Sequence, residues 1–153
     1  MGVAAQSVQA ARQHWMGVLA KANLSDLQEC WQQLAIQPDY QFIRKPETGL
    51  VMTRGRMGGS GQLFNTGEVT LTRCAVRLDC GVLGVSYVMG RSKQHALIAA
   101  LADSLLQGEH AELLQAQLIQ PLAKLQKKAA QEREAAASAT KVDFFTMVRG
   151  EDE

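Results

Sequence analysis

Apolar residues first recur at helical spacing. Val8, Ala11, Trp15, Val18, Leu19 and Ala22 share one face, and Arg12, Gln13 and Lys21 fall elsewhere. A second helix opens at Ser25, where Gln28 completes a capping box and Leu27, Cys30, Trp31 and Leu34 form an apolar face. Gln37-Pro38 stops it, because the residue before proline is pushed out of the helical region. The period then changes to two. YQFIRK reads as a strand, PETG as a turn and LVMTRGRM as the return strand. EVTLTRCAVRL is a third strand, rich in β-branched residues, and VLGVSYVM, after the Asp79-Cys80-Gly81 turn, is a fourth. Strands joined by short turns, with no helices between them, predict an antiparallel meander.

Helices then return. SKQHALIAALADSLL is apolar nearly all round (Ala96, Leu97, Ile98, Leu101, Leu105), which predicts burial against the sheet. AELLQAQLIQPLAKLQKKAAQERE predicts a last helix with a kink or break before Pro121. Its leucine stripe ends before Lys127, and AAASA reads as a loosening linker. The expected fold is α+β: a single domain over residues 1–138 with a central antiparallel meander of about four strands, flanked by N- and C-terminal helices. An extended C-terminal arm over residues 139–153 follows. Chain ends are usually frayed and polar, yet this one carries Phe144 and Phe145, then Met147, Val148 and Arg149. The alternation of Val142, Phe144, Thr146 and Val148 suits a strand added to another sheet.

Composition narrows the classes. A chain of 153 residues suits one domain burying roughly 70% of its unfolded surface. Its formal net charge of +1 excludes the overall basic field of a nucleic-acid binder. The N-terminus lacks the charged start and apolar core of a signal peptide, and Gln6 breaks the myristoylation pattern. No apolar run approaches the ~20 residues needed to cross a bilayer, so a cytoplasmic location is expected. Cys30, Cys74 and Cys80 form no CxxC pair, which argues against disulfides, zinc and iron–sulfur clusters. They read as reduced thiols packed as small hydrophobes.

Two stretches suit anion binding. RGRMGGSGQLFNTGE places Gly58, Gly59 and Gly61 after Arg54 and Arg56, with Arg73 on the next strand. Glycines let backbone N–H groups approach an anion, and arginine presents a planar fork to phosphate. The loop is no Walker motif, since no Gly-Lys-Ser/Thr ends it, and taken alone it reads better as a long hairpin loop whose glycines take positive dihedrals. GRSKQHA ends a strand and starts a helix at Ser92, with Arg91, Lys93, Gln94 and His95 around the first turn. Cations at the positive end of a helix dipole carry a cost that a bound phosphate would offset. Arg54 and Arg56 share one strand face, as do Arg73 and Arg77. His14, His95 and His110 have no spaced carboxylate or thiol partner, so no catalytic set is legible.

Taken together, RQHWM, ETGLV, RMGGSG, GEVTLTRCAVRL, GRSKQHA and VDFFTMVRG, in order along nearly the whole chain, resemble the small G subunit (PhnG) family of the bacterial carbon–phosphorus lyase core complex. Family members tend to carry Asp at Ser92, which preserves capping, and Glu at Leu97, which this chain lacks. The resemblance implies a two-fold assembly of G, H, I and J subunits, the I subunit being nearest, with an ATP-binding-cassette-like L partner. It implies replacement of the adenine of MgATP by an alkylphosphonate. The product would be α-D-ribose 1-alkylphosphonate 5-triphosphate. Nucleosidase-like chemistry would fall to the I subunit, and the iron–sulfur cluster and SAM to the J subunit. This chain would bind no cofactor alone and would be an accessory, non-catalytic subunit, with neither nucleic acid nor membrane as partner. Its terminal arm would dock on the I subunit. A purely structural module without ligand contact is the alternative.

Overall fold

A computed structural model describes residues 2–140. Its architecture is set by α3 (Lys93–Leu105), in which every residue from His95 to Leu105 except Leu97 is buried. A helix apolar on almost all sides needs cover on almost all sides. One side is a three-stranded antiparallel sheet in the order β1 (Tyr40–Arg56), β2 (Leu63–Leu78), β3 (Leu83–Met89). Thr72, Cys74, Val76 and Leu78 of β2 and Ser86 and Val88 of β3 face the helix at the two-residue strand period. The other side is helical. α1 (Gly2–Lys21), α2 (Leu24–Leu34) and the rod formed by α4 (Ala111–Leu114), a π-turn at Gln115–Ile119 and α5 (Gln120–Ala139) close over it. They bury Leu19, Leu27, Leu114, Leu118, Ile119 and Leu122, each burial stabilising by about 1.5–3 kcal/mol.

The α+β class and the meander order are as expected, but the described residues form three strands rather than four. PETG is not a turn: β1 runs through it, and the register against β2 shifts between Arg44 and Glu47. A bulge on an edge strand accommodates Pro46, which has no N–H to donate. The chain instead reverses at the glycine run, so LVMTRGR pairs with LFNTGEV and the hairpin is far longer than expected. Helix α2 starts two residues earlier than the Ser25 capping box predicts. Its N-cap is Asn23, and the Ser25 hydroxyl reaches Asp26 instead. The same helix ends before Pro38, at Ala35 with φ 50°. Pro121 produces a wide π-turn rather than a break, which accommodates the bond its missing N–H cannot make. AAASA is helical through Ala139. Its residues are exposed, so alanine's high helix propensity sustains it rather than packing. Phe144, Phe145, Met147, Val148 and Arg149, expected to dock, lie outside the described residues.

One buried carboxylate joins three of these elements. Asp103 of α3 is fully buried. It accepts hydrogen bonds from Arg12 Nε (3.1 Å) and Nη2 (2.7 Å) and Trp15 Nε1 (2.9 Å) of α1, and from the Val85 backbone N–H (2.9 Å) of β3.

All three cysteines are free thiols. Burial pushes Cys74 up to about 11. Burial, followed by the charges of Glu29 and Asp26, raises Cys30 as well. Cys80 is exposed in the β2–β3 turn. At pH 8 a thiol reagent should therefore modify Cys80 first, Cys30 more slowly, and Cys74 only as the domain unfolds. Three thiols reacting in one fast phase would contradict this placement.

Candidate functional site

The β1–β2 hairpin ends in a short turn, Met57–Gly59, whose conformation accounts for its glycines. Gly58 (φ 61°) and Gly59 (φ 80°) occupy the left-handed region that side chains disfavour. Gly61 is needed for another reason. A Cβ there would stand 2.7 Å from the Met57 carbonyl oxygen, which accepts the Gly61 N–H at 3.0 Å. Arg56 donates from Nη1 to the Gly61 carbonyl at 2.9 Å, so its guanidinium braces its own loop. Arg54 is exposed two residues earlier, with Asn65 as its cross-strand partner. Below the tip, the hydroxyls of Thr53 and Thr66 stand 3.0 Å apart and bond each other's strands.

Arg73 sits on the sheet face opposite α3, paired through Nε with Glu47 at 2.7 Å. Arg44 binds the same carboxylate. The Arg44 guanidinium, and then that of Arg73, hold Glu47 below the usual carboxylate range. All three groups are exposed, so solvent screening keeps the stabilisation small. Arg77 reaches Gln41 on the same outer face at 3.4 Å.

At the second candidate stretch Gly90 (φ 94°) turns the chain from β3 into α3. Its N–H bonds the Thr70 carbonyl (2.9 Å), and its carbonyl accepts the Thr72 hydroxyl (2.7 Å). Ser92 caps α3, its hydroxyl accepting the His95 N–H at 3.2 Å, as expected from the sequence. Arg91, Lys93 and Gln94 are exposed around this start. His95 is turned inward: the ring is buried, with Nε2 2.7 Å from the Leu19 carbonyl oxygen of α1.

These residues do not converge. Gly90 lies beside Thr70, whereas Arg54 and Arg56 lie opposite Asn65 and Leu63. At about 3.3 Å per strand residue, the α3 start and the hairpin arginines are roughly 17–23 Å apart. One phosphate cannot touch both, although an extended polyanion or a partner surface can. Missed in the sequence is the apolar character of the hairpin itself. Leu50, Val51, Met52, Met57, Leu63 and Phe64 are all exposed. The run Leu50-Val51-Met52 carries the signal, because consecutive apolar residues on a strand need cover on both faces.

A groove of about 590 Å³ between α1 and α5 is lined by His14, Lys21, Lys127 and Arg133, with Asp26 opposing them. Among the described residues no group of three or more His, Cys, Asp or Glu could hold a metal ion. None of their helices is long and apolar enough to cross a membrane.

Residues 10–150 match the family model described as phosphonate metabolism protein PhnG. A protein of Rhizobium meliloti (strain 1021), named alpha-D-ribose 1-methylphosphonate 5-triphosphate synthase subunit PhnG, is 43% identical over 144 residues. The match covers 94% of this chain and 92% of that protein.

Proposed function

This chain belongs to the phosphonate metabolism protein PhnG family, and from that premise we propose that it is an accessory subunit of an alpha-D-ribose 1-alkylphosphonate 5-triphosphate synthase. The assembled enzyme would transfer an alkylphosphonate to C1 of the ribose of MgATP and release adenine. The carrying observation is the 43% identity spread over 94% of the chain to a named subunit of such a synthase. Partners would be the H, I and J subunits, the I subunit nearest, with an ATP-binding-cassette-like protein. MgATP would be substrate of the whole, and the iron–sulfur cluster and SAM would belong to the J subunit. The complex would work in the cytoplasm. The terminal arm, Phe144, Phe145, Met147, Val148 and Arg149, would dock on the I subunit.

An accessory role is supported by how the buried polar groups are used. Asp103, His95, Ser86 and Thr72 each bind backbone or another element of this chain, and polar groups so occupied serve the fold. A module without ligand contact is favoured by Arg56 and Arg73, which are engaged by Gly61 and Glu47. Arg54, Arg91, Lys93 and Gln94 are the exposed groups left to meet a triphosphate, phosphonate or partner.

The test is reconstitution of the synthase with and without this chain, read as adenine released from MgATP and methylphosphonate. Omitting the chain is expected to lower turnover at least 100-fold, and undiminished turnover without it would refute the accessory role. Arg54→Ala or Lys93→Ala in the assembled enzyme separates the two uses. Reduced turnover with intact assembly supports anion contact, and wild-type turnover by both variants supports the structural module.

A further inference from the structure

No residue from Tyr40 to Leu71 is buried in this chain. Beyond Gly49 the two strands pair with each other as a free ribbon, from Leu50↔Thr70 to Arg56↔Leu63. Such a ribbon gains little from its own contacts, since two strands alone are marginal in water. Yet it displays Leu50 (65% exposed), Met52 (52%), Met57 (74%), Leu63 (47%) and Phe64 (44%). β1 is also a sheet edge, seventeen residues long, with every second N–H and C=O pointing away from β2. The bulge and Pro46 blunt this edge before Glu47, but from Thr48 to Thr53 it is regular, apolar and open, and such a stretch invites pairing with another chain.

We infer that the β1–β2 hairpin is an assembly arm that inserts into an apolar cleft rimmed by carboxylates on a different subunit, which adds a strand to the β1 edge. Charge decides against a second copy of this chain. β1 carries Arg44, Lys45, Arg54 and Arg56 against one acid, Glu47. Two such edges paired antiparallel would set cations against cations, which is destabilising. An acidic rim reverses the sign at the same positions. It also gives Arg54 a partner, while the glycine turn keeps the arm's tip thin enough to enter a cleft.

This inference rests on the reading of the chain as a subunit of a larger synthase. It is tested by co-expressing the full chain with the other subunits and measuring their copurification. Met52→Glu with Phe64→Glu alters exposed positions, and since the new carboxylate at 52 stands across from Glu68 the isolated variant should melt only slightly below wild type. Its recovery with the other subunits should fall at least 10-fold, whereas Leu113→Glu, an exposed site on α4, should leave recovery unchanged. Met52→Ser with Phe64→Ser is the gentler pair should the charged one fail to fold. Hydrogen exchange gives a second reading. Outward-facing β1 amides should exchange fast in the isolated chain and be protected in the complex.

Stoichiometric copurification of either folded pair overturns the inference alone. An isolated chain that sediments as a dimer dissolved by Met52→Glu would replace the partner with a second copy. β1 amides protected in the isolated monomer, and freed by deleting residues 141–153, would replace it with the chain's own tail. Failure of the wild-type chain to copurify would remove both this inference and the accessory reading.

Discussion

Asp103→Asn, an exchange of one carboxylate oxygen for an amide group, is expected to destabilise the domain by about 2–3 kcal/mol. That is less than the roughly 3–5 kcal/mol of a fully buried charged pair, because the Arg12 side chain is 34% exposed. Every polar group facing the carboxylate is a donor: Arg12 Nε and Nη2, Trp15 Nε1 and the Val85 N–H. Gln107 Nε2 adds a fifth donor at 3.5 Å from Oδ2. An asparagine keeps one acceptor and puts an NH₂ group where the second stood. If the amide oxygen takes the Oδ1 position it serves Arg12 Nε and Trp15. The NH₂ then meets Arg12 Nη2 and Val85 N–H, donor against donor. Flipping the amide moves the conflict without removing it. Total stability of such a domain is typically about 5–15 kcal/mol, so the variant should have a clearly lower urea midpoint at pH 7, read by tryptophan fluorescence. The isosteric shape removes cavity formation as a cause. A loss below about 1 kcal/mol, the scale of an ordinary neutral hydrogen bond, would mean that the buried carboxylate is not what joins α1 to α3 and β3. Arg12→Ala should also cost several kcal/mol, and the double variant should lose less than the sum, since both singles break the same network.

That network shows where sequence reasoning stops. An acid inside an otherwise apolar helix is visible in IAALADSLL, and its burial implies a charged or polar partner. The partner is 91 residues away on α1, and nothing local names it. α3 itself is legible to its Ser92 cap, because capping and amphipathicity are local properties. The start of α2 is not, since Asn23 and Ser25 are both of cap-forming type and the one at the N-cap position, Asn23, makes no side-chain cap bond that would mark it. PETG has the composition of a turn and also of a bulge, and the deciding fact, that β1 lies at a sheet edge, is not local. At the candidate site the glycine run is readable as a chain reversal. That Arg56 bonds Gly61 within the turn is not, nor that His95 points at Leu19. Side-chain direction at a helix start depends on what packs there, and here it is α1.

Gly84→Ala should be comparably damaging, for a steric rather than a polar reason. α3 crosses β3 so closely that a Cβ at residue 84 would lie 2.0 Å from the Ala100 carbonyl oxygen. It would also lie 2.8 Å from both Cβ and the backbone nitrogen of Ser104. Most of these atoms are backbone, so no rotamer change relieves the clash. The helix must lift from the sheet, which would open the contact that buries Ala100 and Ser104 of α3 and Ser86 of β3. Overpacking a core typically costs about 1–3 kcal/mol, occasionally more, and with rigid neighbours about 3 kcal/mol is expected. Removing a glycine otherwise restricts the unfolded chain and stabilises by about 0.4–1 kcal/mol, so the sign at each glycine reports the space around it. Gly17, in the middle of α1, provides the comparison, because a methyl group added there would meet nothing within 4 Å. Gly17→Ala should raise the urea midpoint and Gly84→Ala should lower it, both without changing the slope of the transition. Equal effects at the two sites would show that α3 does not rest directly on β3. Opposite signs would instead place the close crossing of helix and sheet under the C-terminal half of α3, where Ala100 and Ser104 rest on Gly84.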